Sequence, residues 1–136
     1  MNATHEPNDG ISVLVVDDEP DIEDLFKRKF RRELKNGKYI LHFAQSGELA
    51  LSMIENGFTP ELVLMLSDIN MSGMSGMELL SAVKQNWPEL PIAMITAYGD
   101  EVSEREARSA GASEFLSKPL DFAQLKDRMA TIVSGQ

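Results

Sequence analysis

The sequence predicts an α/β protein in which one parallel five-stranded sheet lies between layers of helices. Three observations carry that prediction. Short apolar runs such as LVLML at 62–66 lack the polar alternation of a half-exposed strand, and so read as strands buried on both faces. Segments with helical spacing of apolar residues follow these runs, so strands and helices alternate along the chain. Four of the runs end in an acid, a hydroxyl or an ammonium group, which marks one functional edge of a sheet whose strands share a direction through right-handed crossovers.

The elements follow in order. Residues 11–16 (ISVLVV) form the first strand and end in Asp17-Asp18-Glu19. Pro20 suits a first helical turn, where its missing N–H costs nothing. The helix it opens carries Ile22, Leu25, Phe26 and Phe30 on one stripe and stops at Asn36-Gly37. Its lysines and arginines, 27–32, fall mostly off that stripe and read as a solvated face rather than a nucleic-acid site. Residues 38–43 make the second strand. Ser46 caps a helix carrying Leu49, Ala50, Met53 and Ile54, which ends at Asn56-Gly57. The third strand, 62–66, leads into Ser67-Asp68. Ser75 and Glu78 then have capping-box spacing for a helix with Leu80, Val83 and Trp87 inward. Residues 92–95 form the fourth strand and end at Thr96-Ala97. Residues 100–110 make a polar helix, and 113–116 a fifth strand ending in Ser117-Lys118-Pro119. Asp121 caps a last helix with Phe122, Leu125, Met129 and Ile132 facing the core.

Composition narrows the function. A chain of 136 residues, 43% hydrophobic and 26% charged, fits one globular domain. It has no cysteine, which excludes disulfides and thiolate chemistry. His5 and His42 alone cannot build a zinc site. The net charge of −9 opposes direct binding to nucleic acid or an anionic membrane. Apolar runs are too short to span a bilayer, and residues 1–10 lack the pattern of a signal peptide. A cytoplasmic protein with a short loose N-terminal tail is expected.

The strand ends carry the chemistry. Asp17, Asp18, Asp68, Thr96 and Lys118 all project from one edge, bringing three carboxylates, a hydroxyl and an ammonium together. Crowded carboxylates need a cation, and an oxygen-rich site suits Mg2+. Metal, hydroxyl and ammonium could together meet the three oxygens of a phosphoryl group. Asp68, central among them, could then be the acceptor attacking phosphorus.

The strings VLVVDDEP (13–20), SDINMSGMSGMELL (67–80), ITA (95–97) and SKP (117–119) resemble the receiver domain of two-component response regulators. The resemblance covers about residues 10–133, with 1–9 left as a flexible tail. It implies a single-domain flavodoxin-like three-layer sandwich with sheet order 2-1-3-4-5 and five helices. It further implies that Asp68 takes phosphate from a sensor histidine kinase or a histidine phosphotransfer protein, and that the chain is no enzyme beyond its own phosphorylation and dephosphorylation. Asp18, Asp68 and the backbone carbonyl of Asn70 would hold Mg2+, with Asp17 acting through water. Thr96, Ala97 and Lys118 would bind the phosphoryl group, across a cis Lys118–Pro119 bond. Thr96 and Phe115 match the switch positions, and Asn70 and Tyr98 those that tune hydrolysis. The face made by 100–133 would receive a downstream protein, a fused effector or a second copy.

One departure is Ser72, four residues after Asp68, where the family usually has proline. With Gly73 it should leave the loop freer. A scaffold that keeps the fold without phosphotransfer would not need acceptor, acidic pair, hydroxyl and lysine together. A hydrolase using an aspartyl phosphate would need a second acid two residues past the nucleophile, where Asn70 stands. No glycine-rich phosphate loop of a nucleotide binder occurs. Both a stand-alone regulator and a receiver cut from a longer chain fit the sequence.

Overall fold

The computed structural model describes residues 10–96 and 101–135. The expectations for residues 1–9, Ala97 and Tyr98 lie outside the described residues. Five parallel strands pair in the order β2-β1-β3-β4-β5: β1 (Ile11–Val16), β2 (Tyr39–Ala44), β3 (Leu62–Asp68), β4 (Ile92–Thr96) and β5 (Glu114–Ser117). The six helices among the described residues are α1 (Ile22–Lys29), α2 (Arg31–Lys35), α3 (Gly47–Asn56), α4 (Gly76–Asn86), α5 (Glu101–Ser109) and α6 (Phe122–Ser134).

Parity along the strands divides the core in two. Leu14, Val16, Met65 and Met94 face a layer that includes Ala50, Ile54, Leu79, Leu80, Val83 and Ala107 of α3, α4 and α5. Val13, Val15, Leu66 and Ile95 face Phe26 of α1, Phe30 between α1 and α2, and Leu125 and Met129 of α6. Successive side chains of a strand point to opposite faces, so a central strand needs apolar residues at every position. That is why its sequence shows no alternation.

Three differences from the sequence reading have physical causes. The single first helix is two, because Phe30 leaves helical geometry (φ −102°, ψ 16°). Its ring is fully buried, stacked on Phe26 with centroids 5.6 Å apart and edge-on to Tyr39 and Phe122. Hydrogen bonds still bridge the kink: the Phe30 N–H donates to the Phe26 carbonyl and the Leu34 N–H to that of Phe30, both at 2.8 Å. No proline or glycine marks the break, so periodicity runs straight through it. Second, β3 continues to Asp68 rather than ending before it, because Asp68 still pairs with Ile95 of β4. Third, Leu49 is 47% exposed and lies off the core stripe of α3, where Ala50 and Ile54 are buried.

Capping follows the sequence. Ser46 and Asp121 accept from the N–H of Leu49 and Gln124, at 3.0 and 3.1 Å. Ser75 and Glu78 complete their reciprocal box. Each such cap is worth about 1 kcal/mol. No described helix is long and apolar enough to cross a membrane.

Candidate functional site

The carboxyl ends of β1, β3, β4 and β5 meet at one edge. Asp17 follows β1 directly and is 5% exposed, and Asp68, the last residue of β3, is 4% exposed. Asp18 is half-buried beside them. One carboxylate oxygen from each of the three lies within 4.8 Å of the others. Lys118 reaches across from the end of β5, with Nζ 3.1 Å from Asp68 Oδ2 and 3.7 Å from Asp17 Oδ2. Three carboxylates and one ammonium leave two negative charges uncompensated.

Backbone N–H groups hold each carboxylate in place. Glu19 donates to Asp17 Oδ1 at 2.9 Å, Asn70 to Asp68 Oδ1 at 3.3 Å, and Ser72 to Asp18 Oδ2 at 2.9 Å. The last of these bears on the loop after β3. Ser72 keeps the N–H that proline would lack, and with it the loop is tied to Asp18. The Met74 N–H is tied likewise to Glu48 Oε2 of α3, at 3.3 Å. Sequence reasoning missed Glu48 and the Ser72 tie, because a backbone donor leaves no residue-type signal.

Electrostatics match the geometry. Burial pushes the Asp17 carboxyl above its usual value, and the neighbouring Asp68 charge adds to this, against the Glu19 N–H and Lys118. Burial alone would lower the Lys118 ammonium. The Asp68 hydrogen bond and the charges of Asp17 and Asp68 outweigh burial and hold it above the ordinary lysine value.

Thr96 ends β4, fully buried, and its Oγ1 makes no hydrogen bond among the described residues. Its carbonyl accepts from the Lys118 N–H at 2.7 Å, which ties the ends of β4 and β5. Phe115 is half-buried, paired in register with Met94 and packed into the same core cluster. Thr96 stands two residues beyond Met94, so Thr96 and Phe115 share one face of the sheet. The Lys118–Pro119 peptide is cis, as is Thr59–Pro60, which sequence reasoning did not anticipate. Asn70 is exposed at the rim. Ala97 and Tyr98 lie outside the described residues.

The donor set fits Mg2+. Its ligands would be hard carboxylate oxygens, its charge equals the uncompensated charge, and an unpartnered hydroxyl stands at the same edge.

Comparison with known proteins agrees with this arrangement. The family model for the response regulator receiver domain matches residues 13–130. The response regulator protein PilR of Pseudomonas aeruginosa is 35% identical over 118 residues, covering 87% of this chain and 25% of PilR. Response regulator RppA of Synechocystis is 32% identical over 120 residues, covering 88% of this chain and 49% of RppA. The chain thus spans between a quarter and a half of the length of these relatives. Among solved structures, the receiver domain of NtrX from Brucella abortus superposes with a TM-score of 0.78 at 29% identity, covering 91% of this chain and 99% of that one. Response regulator protein TrrA from Thermotoga maritima, in complex with Mg2+-BeF, superposes with a TM-score of 0.74 at 31% identity, covering 90% and 98%. Sheet order, acidic edge and sequence match converge: the chain belongs to the response regulator receiver domain family.

Proposed function

We propose that this receiver is a phosphorylation-dependent switch in a two-component phosphorelay, with Asp68 as its phosphoacceptor. The observation that carries the reading is the placement of the Asp68 carboxylate. It lies within 4.8 Å of Asp17 and Asp18 oxygens on one side and 3.1 Å from the Lys118 ammonium on the other. An oxygen of Asp68 attacks the phosphorus of a phosphohistidine on a sensor histidine kinase or a histidine phosphotransfer protein. The new O–P bond forms as the N–P bond breaks, and the bonding pair leaves with the imidazole. Lys118 pairs with a phosphoryl oxygen and keeps the negative charge near Asp68 balanced. Thr96 brings an unpartnered hydroxyl to donate to a second oxygen.

Asp17, Asp18, Asp68 and the Asn70 carbonyl are the groups that would hold Mg2+, and the backbone at Ala97 would join Thr96 and Lys118 around the phosphoryl group. When bound, the ion supplies neutralisation of phosphoryl charge. The switch runs through Thr96 to Phe115 and on to the 100–133 face, where Val102 of α5 is 57% exposed. That face would take a downstream protein, a fused effector or a second copy. Asn70 and Tyr98 would set the lifetime of the phosphorylated state. The chain would act in the cytoplasm and catalyse only its own phosphorylation and dephosphorylation.

The test is incubation with acetyl phosphate and Mg2+, read by intact mass. The native chain gains one phosphoryl group, and Asp68→Asn, nearly isosteric but unable to form an acyl phosphate, gains none. Equal labelling of the variant would overturn the assignment.

A further inference from the structure

The thirteen lysines and arginines are not spread evenly. Seven fall in residues 27–38 with a single acid, Glu33, so that segment carries +6. The rest of the chain holds six cations against twenty-one acids and carries −15. The segment is α1 from Lys27, the kink at Phe30, α2 and the turn into β2.

Within it, Arg28, Arg31, Arg32 and Lys35 recur at helical spacing and share one face. All four are exposed. The hydrogen bonds across Phe30 carry the stripe through the kink. The opposite face holds Phe26 and Phe30, both fully buried. Of the acids beside the stripe, Glu23 and Glu33 are engaged elsewhere, while exposed Asp24, one turn before Arg28, makes no ion pair among the described residues. Glu23 pairs with Lys27 at 2.7 Å, and Glu33 with Lys126 at 3.1 Å. Lys126 in addition donates to the Lys29 carbonyl at 2.8 Å. None of the four stripe side chains makes an ion pair or hydrogen bond among the described residues.

The stripe spans about 10 Å along the helix axis. It runs toward Tyr39, whose partner Ile11 begins β1, so it ends at the amino edge of the sheet, away from Asp68.

We propose that this stripe is a docking surface for an acidic helix of a partner protein, one that presents carboxylates every three or four residues. Three of its four cations are guanidinium groups, whose planar fork matches a carboxylate in two hydrogen bonds. Charge also decides between classes of polyanion. A duplex nucleic acid carries a charge every ~1.7 Å and a membrane surface is broader still. Either would bring its own charge against the −15 of the remaining surface. A single acidic helix can touch the stripe alone. With a screening length of about 8 Å at physiological salt, it is shielded from most of the rest. This surface is separate from the phosphoacceptor edge.

Fluorescence anisotropy of a labelled peptide made of Glu-Ala-Ala-Glu-Glu-Ala-Ala repeats tests the proposal on the full chain. Saturable binding is expected, weakening as salt is raised. Arg31→Gln/Arg32→Gln should weaken it severalfold, and the fourfold change Arg28→Gln, Arg31→Gln, Arg32→Gln, Lys35→Gln about tenfold or more, ~1.4 kcal/mol. Both variants should melt with the native chain, since the side chains are exposed and unpartnered. Three results would overturn the proposal. One is equal peptide binding by the native chain and the fourfold variant. A second is tighter binding to duplex DNA or phosphatidylserine vesicles than to the peptide. The third is self-association in the ultracentrifuge that the fourfold variant abolishes, which would assign the stripe to a second copy of this chain.

Discussion

Gly76, the first residue of α4, stands directly against the backbone of Asp68. A methyl group added at Gly76 would meet the Asp68 carbonyl and come within 2.6 Å of the Ile69 α-carbon. The Gly76 N–H donates to the Ile69 carbonyl at 2.8 Å, so helix and strand end are locked backbone to backbone.

Gly76→Ala should therefore damage both fold and chemistry. Backbone cannot give way as a flexible side chain would, so the cost is expected at the upper end of the ~1–3 kcal/mol typical of overpacking. Urea unfolding should show the loss of stability. Labelling by acetyl phosphate, at a temperature where the variant is folded, should be slowed because the Asp68 carboxylate is displaced. A variant as stable as the native chain would mean that α4 slides freely at this point.

Thr96 leads to a prediction of opposite sign. Its hydroxyl is buried and has no partner among the described residues, and an unmet buried donor costs roughly 1–3 kcal/mol. Thr96→Val keeps the shape and removes the polar atom. Thermal unfolding of the unphosphorylated variant should show a gain of about 1 kcal/mol, while phosphorylation no longer shifts the environment of Phe115. A loss of stability would mean that the hydroxyl already has a partner, such as a water molecule.

The acidic edge predicts how stability responds to metal. A ligand at ten times its dissociation constant stabilises the folded state by about 1.4 kcal/mol. Addition of millimolar Mg2+ should raise the melting temperature of the native chain, and removal with a chelator should reverse the rise. Asp18→Ala should respond much less. Equal responses would indicate screening by salt rather than a bound ion.

His42 sets a pH dependence outside the site. Burial lowers its imidazole pKa below the ordinary 6.5, with the ring 4.7 Å from that of Phe58 and Nε2 3.4 Å from Ser12 Oγ. The folded state thus holds a proton less readily than the unfolded chain. The stability tied to neutral His42 is fully present above about pH 6.5. It declines as pH falls from there to the lowered folded value. His42→Leu should remove this part of the slope in urea midpoints measured across the interval. Identical slopes would place the pH dependence in other groups.

Much of the site could be read before folding because parallel strands convert chain order into position. An apolar run followed by an acid or a lysine places that side chain at the carboxyl edge, and Asp17, Asp68, Thr96 and Lys118 are found there. What escaped the sequence was backbone geometry. The kink at Phe30 comes from aromatic packing between distant segments, and no local residue announces it. The second cis proline, at Thr59–Pro60, has no distinguishing neighbour. In the loop after β3, where proline is absent, the Ser72 N–H binds Asp18, a contact between residues 54 positions apart that no residue type announces.

The parity that splits the core also makes the sheet a partition with separate traffic on its two sides. Thr96, Met94 and Phe115 face the α3, α4 and α5 layer, whereas Ala93 and Ile95 face the layer of α1 and α6. A displacement that starts at the Thr96 hydroxyl is thus handed to one layer only. The arginine stripe lies in the other. A partner seated there would keep its grip whether or not Asp68 carries phosphate, so the molecule could be held at one address while its opposite face changes message.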